Sequence, residues 1–327
     1  MSTTETHNEV TMNTPERMGY ACINMQLSQP KNFGPNPKAQ KVFTNRTMIR
    51  RTFNQKGVDY ASSLALQNCI DLYQILKWNH ENGFDFFRIS SNLFPWASEY
   101  EFEDLKDYEN IIDWLDKCGQ YAIATNQRLT THPGPFNKLA SPHERVVKNT
   151  IKDLEIHGWM MDRLGMPRTP WAKINIHVGA AYNDKPMATG NFCKNFDKLS
   201  DSVKSRLTVE NDDKKSLYTT HELYDTVYKR IGTPLVFDYH HHECHSDGVP
   251  EAEALKLAAS TWGDITPVVH YSESRAKEQS DDSIKVQAHS DYIYRPIDTY
   301  GAKVHCMVEA KRKELAVSTW REKHKII

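Results

Sequence analysis

Apolar and polar positions along this chain switch repeatedly between a period of two and one of about 3.6, the mark of strands alternating with helices. MGYACINM opens the series, with Met18, Tyr20, Cys22 and Asn24 on one face of a strand. Asp59 to Asn82 reads as a long amphipathic helix carrying Leu64, Leu66, Ile70, Tyr73, Ile75 and Leu76, with Gly83 just past its end. FDFFRIS, Phe84 to Ser90, is the second strand. A polar and aromatic loop, SNLFPWAS, leads from it into a helix over roughly Phe102 to Cys118. RLTTHP is the third strand and ends at His132. In the SPHE that follows, Ser141 as N-cap, Pro142 and Glu144 predict a capping box for a helix that Gly165 stops.

In AKINIHVGA, Ile174, Ile176 and Val178 face one way and Lys173, Asn175 and His177 the other. A helix from about Gly190 to Arg206 precedes a fifth strand, LTVEND, which ends at Glu210. Thr219 with Glu222 caps the next helix, and Gly232 closes it. The sixth strand begins PLVFDYHHHECH, where alternation sets Val236, Asp238 and His240 opposite Leu235, Phe237 and Tyr239. Glu251 to Ser260 is helical, TPVVHYSES and AKVHCMVEAK are the last strands, and a short helix with a basic tail finishes the chain. Eight alternations predict an α/β protein, a (β/α)8 TIM barrel, as one domain over 17–327. The first sixteen residues are polar, lack aromatics and predict a disordered tail.

Such barrels carry their active sites at the C-terminal ends of the strands. Six consecutive strands here end in His132, His177, Glu210, Asp238, His270 and Glu309, each on the barrel-facing side by alternation. A single histidine at a strand end is more often a structural residue. Six ligand types in a row point to a metal site, and imidazole with carboxylate suits Zn, Mn or Fe(II). His240, His241, His242 and His245 crowd the end of the sixth strand, and spacing leaves His289 in VQAHSDY undecided. His80, His143, His157 and His221 fall on helices or helix starts and read as structural. His305 faces inward but lies ~13 Å below Glu309 at the strand rise per residue, so it is read as structural too.

Composition narrows the partners. The chain has 327 residues, 39% hydrophobic and 25% charged, with a formal net charge of -1. There is no global basic excess, so a nucleic-acid partner would have to be held by a local patch. Arg46, Arg50, Arg51, Arg275, Lys277, Lys311, Arg312 and Lys313 are candidates for such a patch, with Asn92, Phe94 and Trp96 as further candidate contacts. Six cysteines at irregular intervals, without a C-x-x-C pair, read as reduced thiols. No membrane span and no secretory signal are read, so the expectation is a monomer in the cytoplasm, nucleoid or nucleus.

GYACINMQL, NRT, NGFDFFRISSNLFPWAS, LTTHPG, INIHVGAAY, LTVENDD, FDYHHH, VVHYSES and MVEAKRKE together resemble the UV damage endonucleases (UvdE/UvsE), relatives of endonuclease IV and the xylose-isomerase-like barrels. The resemblance spans roughly Met18 to Glu314. It implies a DNA repair enzyme that hydrolyses the phosphodiester 5′ of UV photoproducts, leaving 3′-hydroxyl and 5′-phosphate on double-stranded DNA. It implies two or three ions, Mn2+ foremost, with Zn2+ or Mg2+ as alternatives. One ion would fall to His132, His177 and Glu210, a second to Glu210, Asp238, His270 and Glu309, and a third to His241 and His289. The catalytic group would be Glu210, Asp238, Glu309 and His270. Tyr20 and Asn24 would line the lesion pocket, with Arg46, Phe136 and Lys311 also on the substrate. Two positions depart from the pattern: Pro135 and Phe136 stand where the family has Gln and Tyr, and Val268 stands where it often has a lysine. An abasic-site endonuclease is the alternative, followed by a metal-dependent sugar isomerase and a binding barrel without activity.

Overall fold

The computed structural model describes residues 14–325. Eight parallel strands close into a barrel in sequence order: β1 (Arg17–Ala21), β2 (Phe86–Ile89), β3 (Arg128–Thr131), β4 (Ile174–Ile176), β5 (Leu207–Glu210), β6 (Leu235–Asp238), β7 (Val268–Tyr271) and β8 (His305–Val308). Closure is made by β8 on β1, with Arg17 opposite His305 and Tyr20 opposite Val308. Helices between the strands cover the outside. The main apolar core, including Leu72, Ile75, Leu115, Leu154, Met161 and Trp320, lies between the two layers. Each large apolar side chain buried there stabilises the fold by about 1.5–3 kcal/mol.

A second, smaller apolar cluster fills the barrel interior: Ala21, Phe86, Val236, Trp262, Val268 and Met307. Gly19 makes room for it. A Cβ at Gly19 would lie 2.4 Å from the Phe86 carbonyl oxygen, so only a bare residue fits there. Below this layer Arg128 plugs the floor of the barrel. Its Nε and Nη2 donate to the carbonyls of Trp171 (2.8 Å) and Pro170 (3.2 Å), and its Nη1 to that of Thr266 (2.9 Å) and to His305 Nδ1 (3.0 Å). The guanidinium also stacks 4.5 Å from the Trp171 ring.

Several helix boundaries differ from the sequence reading. The first long helix is Arg50–Glu81, starting nine residues earlier than expected because Gly57 (φ 67) joins two helical pieces rather than ending one. The SPHE capping box does not form. Ser141 Oγ instead accepts from the His143 N–H (3.1 Å), a local turn, and the helix begins at Glu144. The expected helix over 190–206 is two helices, Lys185–Phe196 capped by Asp184 and Asp201–Lys204 capped by Ser200. The Thr219–Glu222 capping box is present, although the helix passes through a π turn at Tyr224–Tyr228. Of the expected disordered tail, residues 1–13 lie outside the described residues. Glu16 donates its N–H to Val304 O (2.9 Å), which ties that end to the barrel. Among the described residues no helix is long and apolar enough to cross a membrane.

Candidate metal centre

The side chains at the C-terminal mouth are brought in by strand register. Asp238 lies opposite His270, His270 opposite Met307, and Asn175 opposite Thr208, so Glu210, His177 and Glu309, two residues further on, share the interior face. Glu210 and Asp238 end β5 and β6, while His132, His177 and Glu309 sit one residue beyond β3, β4 and β8. Glu210 is the hub: its Oε2 lies 3.3 Å from His132 Nε2, 3.6 Å from His177 Nε2 and 3.1 Å from His270 Nδ1, and its Oε1 lies 3.3 Å from His241 Nδ1. His270 Nδ1 is also 3.2 Å from Glu309 Oε1. Three overlapping sets could each hold an ion: His132, His177 and Glu210; Glu210, Asp238 and His241; Asp238, His270 and Glu309.

Outer contacts fix the rings for ligation. His132 Nδ1 donates to the Pro133 carbonyl (3.0 Å), which leaves Nε2 as the lone-pair nitrogen toward Glu210. His177 Nδ1 lies 3.2 Å from Asp212 Oδ1, so its Nε2 likewise faces the hub. His241 Nδ1 is held by the Asn211 carbonyl (2.9 Å), and His289 Nδ1 by the Glu309 carbonyl (3.2 Å). Glu210 is steadied by the Asn175 amide, which in turn accepts from Thr208 Oγ1 (2.8 Å).

The donor set fits divalent ions on two observations. Asp238 Oδ2 is buried without a hydrogen-bond partner, and the buried His270 Nδ1 is wedged between the Glu210 and Glu309 carboxylates at 3.1 and 3.2 Å; both belong to the third ligand set. Leaving an atom such as Asp238 Oδ2 unpaired costs on the order of 1–3 kcal/mol, a cost that an ion removes. Burial pushes the His270 imidazole down to about 4, so it is neutral and able to ligate at neutral pH. Burial pushes Asp238 up to about 6 against the pull of His241. Burial alone would lower His241, but Asp238 and Glu210 outweigh it and raise the ring to about 10. Carboxylates and imidazoles are thus compressed together, an arrangement that a divalent cation relieves.

The strand-end residues of the sequence reading converge here, and His241 joins them instead of His240. The helix Tyr239–Cys244 starts directly after β6, capped by Asp238 accepting from the His241 N–H (2.7 Å). Strand alternation therefore no longer applies, and the turn swings His241 onto the site. His289 stands at the edge, its ring 6.3 Å from that of His241. Lys173, read as facing inward, lies beneath the centre with Nζ 3.0 Å from His270 Nε2, and burial lowers its ammonium to about 7. Val268, by contrast, is buried in the interior apolar cluster.

Several expected substrate contacts are placed elsewhere. Tyr20 and Asn24 are both 0% exposed: Asn24 donates to the Tyr20 hydroxyl (3.0 Å) and caps the next helix, and Tyr20 donates to Asn79 (2.5 Å). They brace the β1 end and do not line an open pocket. Arg46 is bound to Asp71 (2.7 Å) and stacked 3.9 Å from the Phe43 ring, so its charge is already used. Arg50 pairs with Glu99 over the Trp96 ring, and Phe94 packs against Phe102 and Trp159. Phe136, at 89% exposure on the loop after β3, and the exposed Lys311 remain available to a partner. Asp212 and Arg88 were missed by sequence reasoning. Asp212 follows Glu210 at a spacing of two, a usable signal, whereas an arginine inside an apolar strand gave no hint of its partner.

A closed barrel with overlapping His and carboxylate sets at its C-terminal mouth belongs to the TIM-barrel enzymes with a candidate polynuclear metal centre. Within that class the chain belongs to the UvdE family of UV-damage endonucleases, enzymes that cleave DNA: the family model "UV-endonuclease UvdE" matches residues 16–324. It is 34% identical over 312 residues to the UV-damage endonuclease of Schizosaccharomyces pombe, covering 92% of this chain but 49% of that one. The chain thus spans about half the length of that relative. With the UV DNA damage endonuclease of Bacillus cereus (strain B4264) it shares 32% identity over 92% of each chain. The solved structure of SacUVDE superposes with a TM-score of 0.77 at 29% identity, covering 95% of this chain and 99% of that one. D-psicose 3-epimerase from Clostridium cellulolyticum H10 (TM-score 0.51, 14% identity, 78% and 86% covered) shares the fold alone.

Proposed function

We propose that this chain nicks double-stranded DNA on the 5′ side of UV photoproducts, leaving 3′-hydroxyl and 5′-phosphate. It would do so with two or three divalent ions, Mn2+ foremost. The observation that carries the reading is the trio of ligand sets linked through Glu210 and Asp238. His132, His177 and Glu210 would hold one ion. Glu210, Asp238, His270 and Glu309 would hold a second, and His241 with His289 a third. Ions held there would lower the pKa of a water and place positive charge at the attacking and leaving oxygens.

The protein's own groups do the rest. Asp212 and the Pro133 carbonyl orient the imidazoles, and Asn175 fixes the Glu210 carboxylate. A cleft of about 220 Å³ beside the centre is lined by His132, His177, Asp212 and His241, with Lys138 and Lys214 offering charge to a backbone phosphate. Phe136 stands exposed at the edge of the neighbouring groove as a stacking wedge. Such a wedge offsets part of the few kcal/mol that unstacking a base costs, a cost already smaller at damaged sites. Pro135 offers no side-chain donor, so lesion probing would rest on shape and stacking.

The test is a nicking assay with Mn2+ on three duplexes: one photoproduct, one abasic site, and one undamaged. A chelator-sensitive nick directly 5′ of the photoproduct is expected. Cutting at the abasic site alone would move the assignment to an abasic-site endonuclease, and no cutting in any metal would overturn the reading.

A further inference from the structure

The barrel mouth divides into two arcs. From β3 round to β8, every strand end contributes an imidazole or a carboxylate to the centre. β1 and β2 contribute neither. Their arc is occupied by Arg88 of β2, which pairs in register with Ala21 of β1 and Thr130 of β3 and therefore faces the interior, like His132 two residues beyond Thr130. Nη1 of Arg88 forms an ion pair with Glu309, and both side chains are 13% exposed. A guanidinium stays protonated in proteins, so Arg88 brings a fixed positive charge to this arc.

One carboxylate does not use up this group. A guanidinium has five N–H donors in a rigid fork, and Arg88 Nε is buried without a partner. Among the described residues, Nη1 alone of its nitrogens makes a hydrogen bond. A buried cation with idle donors is costly unless a ligand completes it, and a phosphate matches the fork. The charge balance agrees: with two divalent ions, Glu210, Asp238, Glu309 and Arg88 leave the mouth roughly two charges positive, the complement of a phosphodiester under attack.

We propose that Arg88 is a catalytic residue whose free edge donates to a non-bridging oxygen of the scissile phosphodiester, from the side of the mouth opposite the ligand arc, while Nη1 keeps Glu309 in place. The inference rests on the DNA-cleavage reading above. In that reaction water forms the new P–O bond, the P–O3′ bond breaks, and the proton lost by the water balances the one taken up by the 3′ oxygen. Arg88 gives up no proton and only stabilises charge.

The experiment compares wild type with Arg88→Lys and Arg88→Gln in Mn2+, each checked for folding by thermal melting. Three quantities are read: bound Mn2+ per chain, Kd for photoproduct duplex in the presence of Ca2+, and the single-turnover nicking rate. Expected is Mn2+ content within about twofold and Kd within about threefold, but a rate lower by roughly 10²–10³. Replacing a non-bridging oxygen with sulfur should also slow the wild type more than it slows either variant. A rate that falls only in step with lost Mn2+ would make Arg88 a holder of Glu309, and an unchanged rate at full Mn2+ would remove it from the reaction. Both overturn the proposal. A wild type that does not nick would instead sink the endonuclease reading itself.

Discussion

The two ends of this barrel bury charge in opposite ways. At the floor, Arg128 has no carboxylate partner among the described residues, yet it is matched by three backbone carbonyls and the His305 ring. At the mouth, three carboxylates and four imidazoles crowd together, while Asp238 Oδ2 and Arg88 Nε are buried without a hydrogen-bond partner. Burial is common to both ends and does not separate them. Satisfaction does: a completed network is scaffold, and a network with buried idle atoms is a site that awaits a ligand.

The comparison breaks most sharply at Glu210. Glu210→Gln removes the charge that links the ligand sets, and nicking should fall on the order of 10³-fold or more, with lost Mn2+ measured alongside by mass spectrometry. Folding should survive, because the amide keeps the size and packing of the carboxylate it replaces. The floor should respond the other way. Arg128→Leu strands the Trp171, Thr266 and Pro170 carbonyls, and urea titration should show a loss of about 3 kcal/mol or more, with nicking per folded molecule unchanged.

Asp212→Asn tests the orientation of His177. Mn2+ affinity should weaken by about 10–100-fold in a metal titration, with melting in chelator unaltered. A floor prediction follows from His305, whose imidazole is pushed down to about 3 by burial, with help from Arg128 and Arg17. Folded, the ring stays neutral; unfolded, it takes a proton below about 6.5. Its contribution to stability is therefore complete above that pH and drains away as pH falls toward 3, by at most ~1.4 kcal/mol per pH unit. His305→Gln should flatten the melting-temperature profile across that window. The smallest effect is on stability at Phe136, where Phe136→Ala should change unfolding by less than about 0.5 kcal/mol while weakening lesion binding severalfold in a fluorescence titration.

What was legible in the sequence followed from period. Alternation ending in His or a carboxylate placed His132, His177, Glu210, Asp238, His270 and Glu309 at one mouth, because a strand's side-chain direction is fixed by parity. It failed where parity ends: at His240 and His241 a helix begins within the motif, and local capping by Asp238 decides which ring turns inward. Contacts across the barrel were invisible too. Nothing in the spacing says that Arg88 reaches Glu309, or that Lys173 reaches His270. Tyr20 and Asn24, which the resemblance placed in the lesion pocket, have their polar atoms used by Asn79 and the next helix, contacts that spacing does not reveal.

The closure of β8 on β1 has a consequence for how the chain becomes active. Glu309 arrives on the final strand, and Glu314 just beyond it binds the N–H groups of Met25 and Gln26 at 2.8 Å, joining the last helix to the first turn. As the ribosome extrudes this chain from its amino end, the earliest strand waits for the latest one before the mouth can form. A chain that stops short of β8 carries most of the candidate ligands but neither Glu309 nor the seam. The ring of ligands is therefore completed only when β8 docks on β1.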